Sequence, residues 1–394
     1  MYKVIKEYNV IGKYADRMWD LQKDLQIFLE EKFANRTIEF APDERIVFDI
    51  TDTDYFIDAD FPGFVLYNLQ LVLKELNIPN FSCAVLSNMP DYDYYTKKVR
   101  DLLRPDDVPL RAITISSNEY VLLSIGELPK SIKANVNDIE FPFIVMSRLR
   151  RFHRTFFMSK LFEPGLHTKG MVAYHNIDNS RGDGAVNNSK SSSIADRDSD
   201  NSLFFLTTTP FTLHNNENLV ANPENRILVD KFSSEVPEYK NFDDGIIIAD
   251  KTGSGKYQRD LIQKSLVYIA FETVVKYPKA YQSEKTFKSI AQKRPFIIFG
   301  PPGCINLLKD QGFRTFDRWW DESYDKEYNM EKRVDMIIDI VKYLASLDVK
   351  SLRNLYREME PLLEYNYHHL TDTFITDQLS TKDRVLSQSV ISYD

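Results

Sequence analysis

Cysteine is nearly absent: Cys83 and Cys304 are the only two in 394 residues. Two thiols cannot build a disulfide framework or a cysteine-rich metal site, and their scarcity suits a reducing compartment. Long apolar runs are missing as well. No stretch of about 18 apolar residues occurs, so no membrane span is predicted. The segment from Met1 to Glu7 lacks the charged-then-apolar layout of a secretory signal. These absences lead to the expectation of a cytoplasmic protein. An excess of basic residues is missing too, since the formal net charge is −8. An acidic chain does not coat nucleic acid through bulk electrostatics, although a local basic patch can still meet DNA.

Complete nucleotide-triphosphate loops are also lacking. Gly300-Pro301-Pro302-Gly303-Cys304 begins like one, but Ile305-Asn306-Leu307 stands where Gly-Lys-Ser/Thr belongs. Gly253-Ser254-Gly255-Lys256 has its lysine, yet Asp250 replaces the first glycine and Tyr257 the hydroxyl residue. A phosphate-loop ATPase is therefore disfavoured. Gly300 to Gly303 reads instead as a strand-to-helix turn that lets backbone approach a ligand or a packed helix. His153, His167 and His175 lack metal-ligand spacing, so a metal-independent reaction is expected.

What is present is ample core material. Hydrophobic residues make up 43% of the chain, including 26 Phe and 22 Tyr. That is enough apolar area for two cores, and the length favours two domains. In the first part, strand-like runs at Arg45–Ile50, Phe81–Leu86, Arg111–Ser116 and Tyr120–Ile125 alternate with helical patterns at Phe64–Leu76 and Tyr92–Leu103. A second phase begins at Phe141, with strands at Phe143–Met146 and Gly170–His175 and a helix ending near Phe162. Asp178 to Asn201 is rich in Asn, Ser, Asp and Gly, which predicts a mobile loop, either a lid or a tolerated insertion. Asp260–Tyr277 reads as a helix-strand stretch. Ser283 caps a helix that reaches Gln292, Pro295–Phe299 reads as a buried parallel strand, and Cys304–Asp310 as a helix ended by Gly312. Long helices follow at Met330–Leu347 and Leu352–Leu370. The expected class is α/β: two Rossmann-like domains facing a central cleft, with long C-terminal helices. The expected division is two α/β domains at 1–140 and 141–350, with 351–394 as C-terminal helices and tail.

Three groups of residues carry chemistry. Ser283-Glu284-Lys285-Thr286 opens a helix, whose free amides and positive dipole end suit a diphosphate, with Lys285 adding a full charge. An ordinary Ser-capped helix with solvated charges is the bland alternative. Arg148, Arg150, Arg151, His153 and Arg154 crowd one strand-to-helix junction. Arginine forks bind phosphate bidentately, so this cluster suits a donor diphosphate or a nucleic-acid backbone; a solvated helix face is the alternative. Asp52, Asp54, Asp58 and Asp60 follow the strand ending at Ile50. Asp52, Asp54 and Asp58 are the candidates for a catalytic base at an acceptor hydroxyl, against the alternative of an acidic surface loop.

The run Phe271-Glu272-Thr273, then Ser283-Glu284-Lys285-Thr286-Phe287, then Arg294 to Gly300 resembles the donor-binding stretch of fucosyltransferase-like glycosyltransferases. That resemblance implies ribose and diphosphate contacts for Glu284 and Lys285, with Ser283, Thr286, Gly300 and Gly303 lining the donor site. The motif covers about thirty residues and has Thr273 where that family often has Asn-Ser. A wider likeness, over residues 141 to 340, is to glycosyltransferases encoded by tailed phages. It rests on Arg148 to Arg154, Lys169 to Tyr174, Phe299 to Gly303, Gly312 to Phe316 and Asp321 to Asp325. It implies a GT-B-type enzyme of an infected host's cytoplasm, using a UDP- or GDP-sugar as co-substrate and no resident cofactor. A hydroxymethylated pyrimidine in phage DNA is the first acceptor it suggests. Such a base must be flipped out of the duplex, which needs a basic groove and a mobile loop. A surface glycan or lipid-linked sugar is the second acceptor, and a non-catalytic nucleotide- or glycan-binding virion module is the rival class.

Overall fold

The computed structural model describes residues 2–5, 45–49, 61–75, 77–80, 83–87, 92–114, 134–149, 152–177, 223–236, 238–242, 259–272, 275, 280 and 282–377. The chain divides into two units. One comprises 1–119, 201–215 and 376–394, the other 120–200 and 216–375. The expected strand at Tyr120–Ile125, the expected loop at 178–201 and the tail after Ser380 lie outside the described residues.

The first unit holds a parallel sheet of four strands in sequential order: β1 (Tyr2–Ile5), β2 (Arg45–Asp49), β3 (Cys83–Ser87) and β4 (Arg111–Thr114). Helix α1 (Phe61–Glu75) crosses from β2 to β3, and α2 (Tyr92–Leu103) from β3 to β4. Parallel neighbours need such crossovers. Leu66, Leu69 and Leu73 give α1 one buried stripe at helical spacing, and Thr96 and Val99 are a buried pair of α2.

The second unit is built on a five-stranded mixed sheet. Its strands are β5 (Phe141–Leu149), β6 (Met171–Ile177), β7 (Glu238–Lys240), β8 (Ser265–Phe271) and β9 (Phe296–Phe299). The order across the sheet is β7-β6-β5-β8-β9, parallel except for the edge strand β7. After β5 the chain runs through α3 (Phe152–Phe162) to β6 on one side. It then passes α4 (Pro223–Glu235), β7 and α5 (Arg259–Gln263) and returns as β8 on the other side of β5. The strand order therefore reverses between β5 and β8, which is compatible with a Rossmann-like fold. Ligands of open α/β sheets bind at such a reversal, outside the carboxyl ends of the strands.

Every residue of β8 and β9 is buried, as strands covered on both faces require. Val267, Ile269 and Phe271 join the main core, while Tyr268 and Ala270 join a smaller cluster on the opposite face with Ile144, Met171 and Ile262. Helices α6 (Glu284–Ala291), α7 (Cys304–Asp310), α8 (Met330–Ala345) and α9 (Val349–His368) complete the main core. Helix α9, read in the sequence as a separate C-terminal segment, packs against β5, β8 and α6 inside this unit. A π-helical turn, His369–Phe374, ends it. No described helix is long and apolar enough to cross a membrane.

The segment after α7 braces the sheet edge. Gly312 takes φ +91° at the helix end, and Asn366 clamps the backbone of Arg314 through both its N–H and its carbonyl. Glu322 accepts from Thr315 Oγ1 and Phe316 N, both at 2.7 Å. Tyr324 Oη accepts from the Ile298 amide of β9 at 3.3 Å. Asp325 caps α7 by accepting from Ile305 N and Asn306 N at 3.0 and 3.3 Å. Burial pushes the Asp325 carboxyl above its ordinary range, and those amides pull it partly back. The motifs at Gly312–Phe316 and Asp321–Asp325 thus make contacts that brace this edge.

Asp325→Ala should lower the unfolding free energy by about 1–3 kcal/mol, because two helix-start amides lose their acceptor. Urea denaturation measures it; an unchanged midpoint and slope would show that the cap contributes nothing.

Candidate functional site at the carboxyl ends of β5, β8 and β9

The site begins with a buried acid. Glu272 follows the last residue of β8 and has no exposed surface. Its Oε2 accepts from the Ser283 amide at 3.0 Å and from the Ser283 hydroxyl, and its Oε1 accepts from Thr286 Oγ1 at 2.6 Å. The carboxylate thus lies against the start of α6, where free amides and the dipole favour negative charge. Ser283 is the N-cap, and its Oγ accepts from Lys285 N at 3.4 Å and from Lys285 Nζ at 3.1 Å.

Two neighbours hold Glu272 in place. Arg154, from the first turn of α3, donates through Nη2 to the carbonyls of Phe271 and Glu272 at 3.4 and 3.2 Å. Gly300 directly follows β9, and a Cβ there would stand 3.0 Å from Glu272 Cγ and 3.1 Å from Cys304 Sγ. Arg333 of α8 then locks the turn: Nη1 donates to Gly300 O at 2.6 Å and Nη2 to Val275 O at 3.2 Å. Burial pulls the Arg333 guanidinium down to about 10, so it stays charged at neutral pH.

This geometry shows what several of the expected site residues contact within the chain. Ser283 and Thr286 are fully buried and committed to Glu272, so they support the turn and do not face a donor. The anion at the start of α6 is the protein's own carboxylate. Gly300 makes room for the Glu272 side chain. Gly303 adopts φ +91° and spends its amide on Asp325 O at 2.8 Å. His153 and Arg154 are each 5% exposed, with His153 edge-on to Phe299 at 6.0 Å. Buried side chains of this kind cannot reach a duplex backbone.

Lys285 is half-buried at the rim of the site. Arg148 is the last residue but one of β5, but its side chain, like that of Glu284, lies outside the described residues. Arg150, Arg151, Asp52, Asp54 and Asp58 lie outside them altogether. Sequence reasoning held Glu272 and Asp325 only as members of longer motifs, without a specific contact, and did not single out Gln282 or Arg333. A signal for Glu272 existed: an acid directly after an all-apolar strand and ahead of a Ser-capped helix.

Gly300→Ala should cost about 1–3 kcal/mol, because the new methyl group overpacks against Glu272 and Cys304. Gly303→Ala meets only Ala280 Cβ at 3.6 Å, so its backbone strain alone should cost about 1 kcal/mol. Urea midpoints compare the two; the reverse ranking would contradict the packing described. Comparison with known proteins gives no match, whether to a family model, a curated protein or a solved structure.

Proposed function

We propose that this chain is a glycosyltransferase that moves a sugar from a UDP- or GDP-sugar to an acceptor hydroxyl, with the donor held by the second unit. The observation that carries the reading is the reversal of strand order between β5 and β8, with a basic segment leaving β5 and Lys285 beside β8. Charged donors favour such an edge, because fixed cations and helix starts offset phosphate charge without reorganising. Since Glu272 takes the start of α6, the diphosphate falls to Lys285 together with Arg148, Arg150 and Arg151. Catalysis is then positioning plus stabilisation of the departing nucleoside diphosphate. No metal is required in this scheme. The base that deprotonates the acceptor is sought among Asp52, Asp54 and Asp58, just beyond the carboxyl end of β2. The two-domain, cleft-facing glycosyltransferase architecture belongs to the same proposal.

The first acceptor is a hydroxymethylated pyrimidine in DNA. One observation favours the second, a glycan: burial of His153 and Arg154 removes two of the five basic side chains from any duplex contact.

Lys285→Ala should weaken UDP- or GDP-sugar binding by about 1.5–3 kcal/mol, roughly ten- to a hundredfold, with no loss of melting temperature. Unchanged donor affinity in the folded variant would remove Lys285 from the site. Changing Arg150 and Arg151 together to Gln separates the remaining roles. Loss of nucleotide-sugar affinity places them on the donor. A flattened salt dependence of duplex binding places them on DNA, because each neutralised phosphate releases counterions. Wild-type protein that ignores DNA at low salt yet glycosylates a small sugar makes the acceptor a glycan.

A further inference from the structure

Gln282 stands immediately before the N-cap of α6 and is 5% exposed. Its side-chain amide bridges towards the start of α7, where Nε2 donates to Cys304 O at 2.8 Å. A backbone carbonyl can only accept, so this bond fixes which end of the amide is nitrogen. The other end, Oε1, is buried and has no hydrogen-bond partner. An orphaned buried carbonyl costs stability unless something completes it. It sits where the carboxyl ends of β8 and β9 turn into α6 and α7.

We infer that Gln282 Oε1 accepts a ribose hydroxyl of the bound nucleotide, an inference that rests on the donor reading above. The missing partner must be a hydrogen-bond donor, which excludes a phosphate oxygen. The neighbouring Glu272 carboxylate reinforces this, since a second anion beside it would be repelled. Lys285 lies three residues further along, where the reading places the diphosphate. The group covalently next to a diphosphate is the ribose, while the base lies one unit further away. On this inference the ribose sits between the starts of α6 and α7, and the diphosphate lies towards Lys285.

The test titrates UDP and GDP, each with its 2′-deoxy and 3′-deoxy counterpart, into wild-type protein and Gln282→Met. Wild type should bind one of the deoxy forms about five- to tenfold more weakly than the parent. Gln282→Met should bind parent and deoxy forms alike, at the weaker level. Gln282→Asn withdraws the carbonyl by one methylene; it should also lose the discrimination and serves if the Met variant does not fold. If wild type binds UDP or GDP but treats the deoxy forms equally, a buried water completes the carbonyl; the inference is then overturned while the donor reading stands. Discrimination that survives in both variants overturns it equally. If wild type binds neither UDP nor GDP, the donor reading itself fails and takes the ribose assignment with it.

Discussion

The burial of one carboxylate organises the carboxyl edge of the second unit. Taking Glu272 out of water costs several kcal/mol unless its oxygens are satisfied. The chain meets that cost with three donors from one turn, the Ser283 amide, the Ser283 hydroxyl and the Thr286 hydroxyl. It also uses the positive end of α6. This helix spans eight residues, too few to be stable in isolation, so its position depends on the strand that supplies its acid. Gly300 is small because Glu272 needs the space, and Arg154 holds the carbonyl behind it.

A second set of buried polar groups keeps that arrangement in register. Arg333 crosses from α8 to the carbonyls of Gly300 and Val275, which ties the ends of β8 and β9 to one guanidinium. Asp325 closes the start of α7, and Tyr324 caps the open edge of β9. Both helix starts are thereby served by acids of the protein itself. In the proposed reading, chemistry at this edge falls to the cations at its rim and to Gln282 Oε1. That is why the donor reading moves the diphosphate away from the start of α6 and towards Lys285.

Much of the fold is legible in the sequence because apolar runs and caps are local signals. Ser283 is read as an N-cap and is one, and the boundaries of α2 and α7 agree to the residue. The antiparallel edge strand β7 and helix α4 go unread. β7 has three residues, two of them exposed, so it carries no alternation to detect. The site is less legible, because its geometry is made by residues far apart in the chain. Glu272 meets Ser283 across 11 positions, and Arg333 meets Gly300 across 33. Types such as Arg154 and His153 suggest exposed chemistry, and only tertiary packing shows them turned inward.

Hydrogen–deuterium exchange with and without saturating UDP- and GDP-sugars tests the central claim directly. Slowed exchange should appear at the carboxyl ends of β5, β8 and β9 and in the first turns of α6 and α7, with the opposite ends of those strands unchanged. Absence of protection there with every nucleotide sugar, or protection confined to other segments, would contradict a nucleotide-sugar site at this edge.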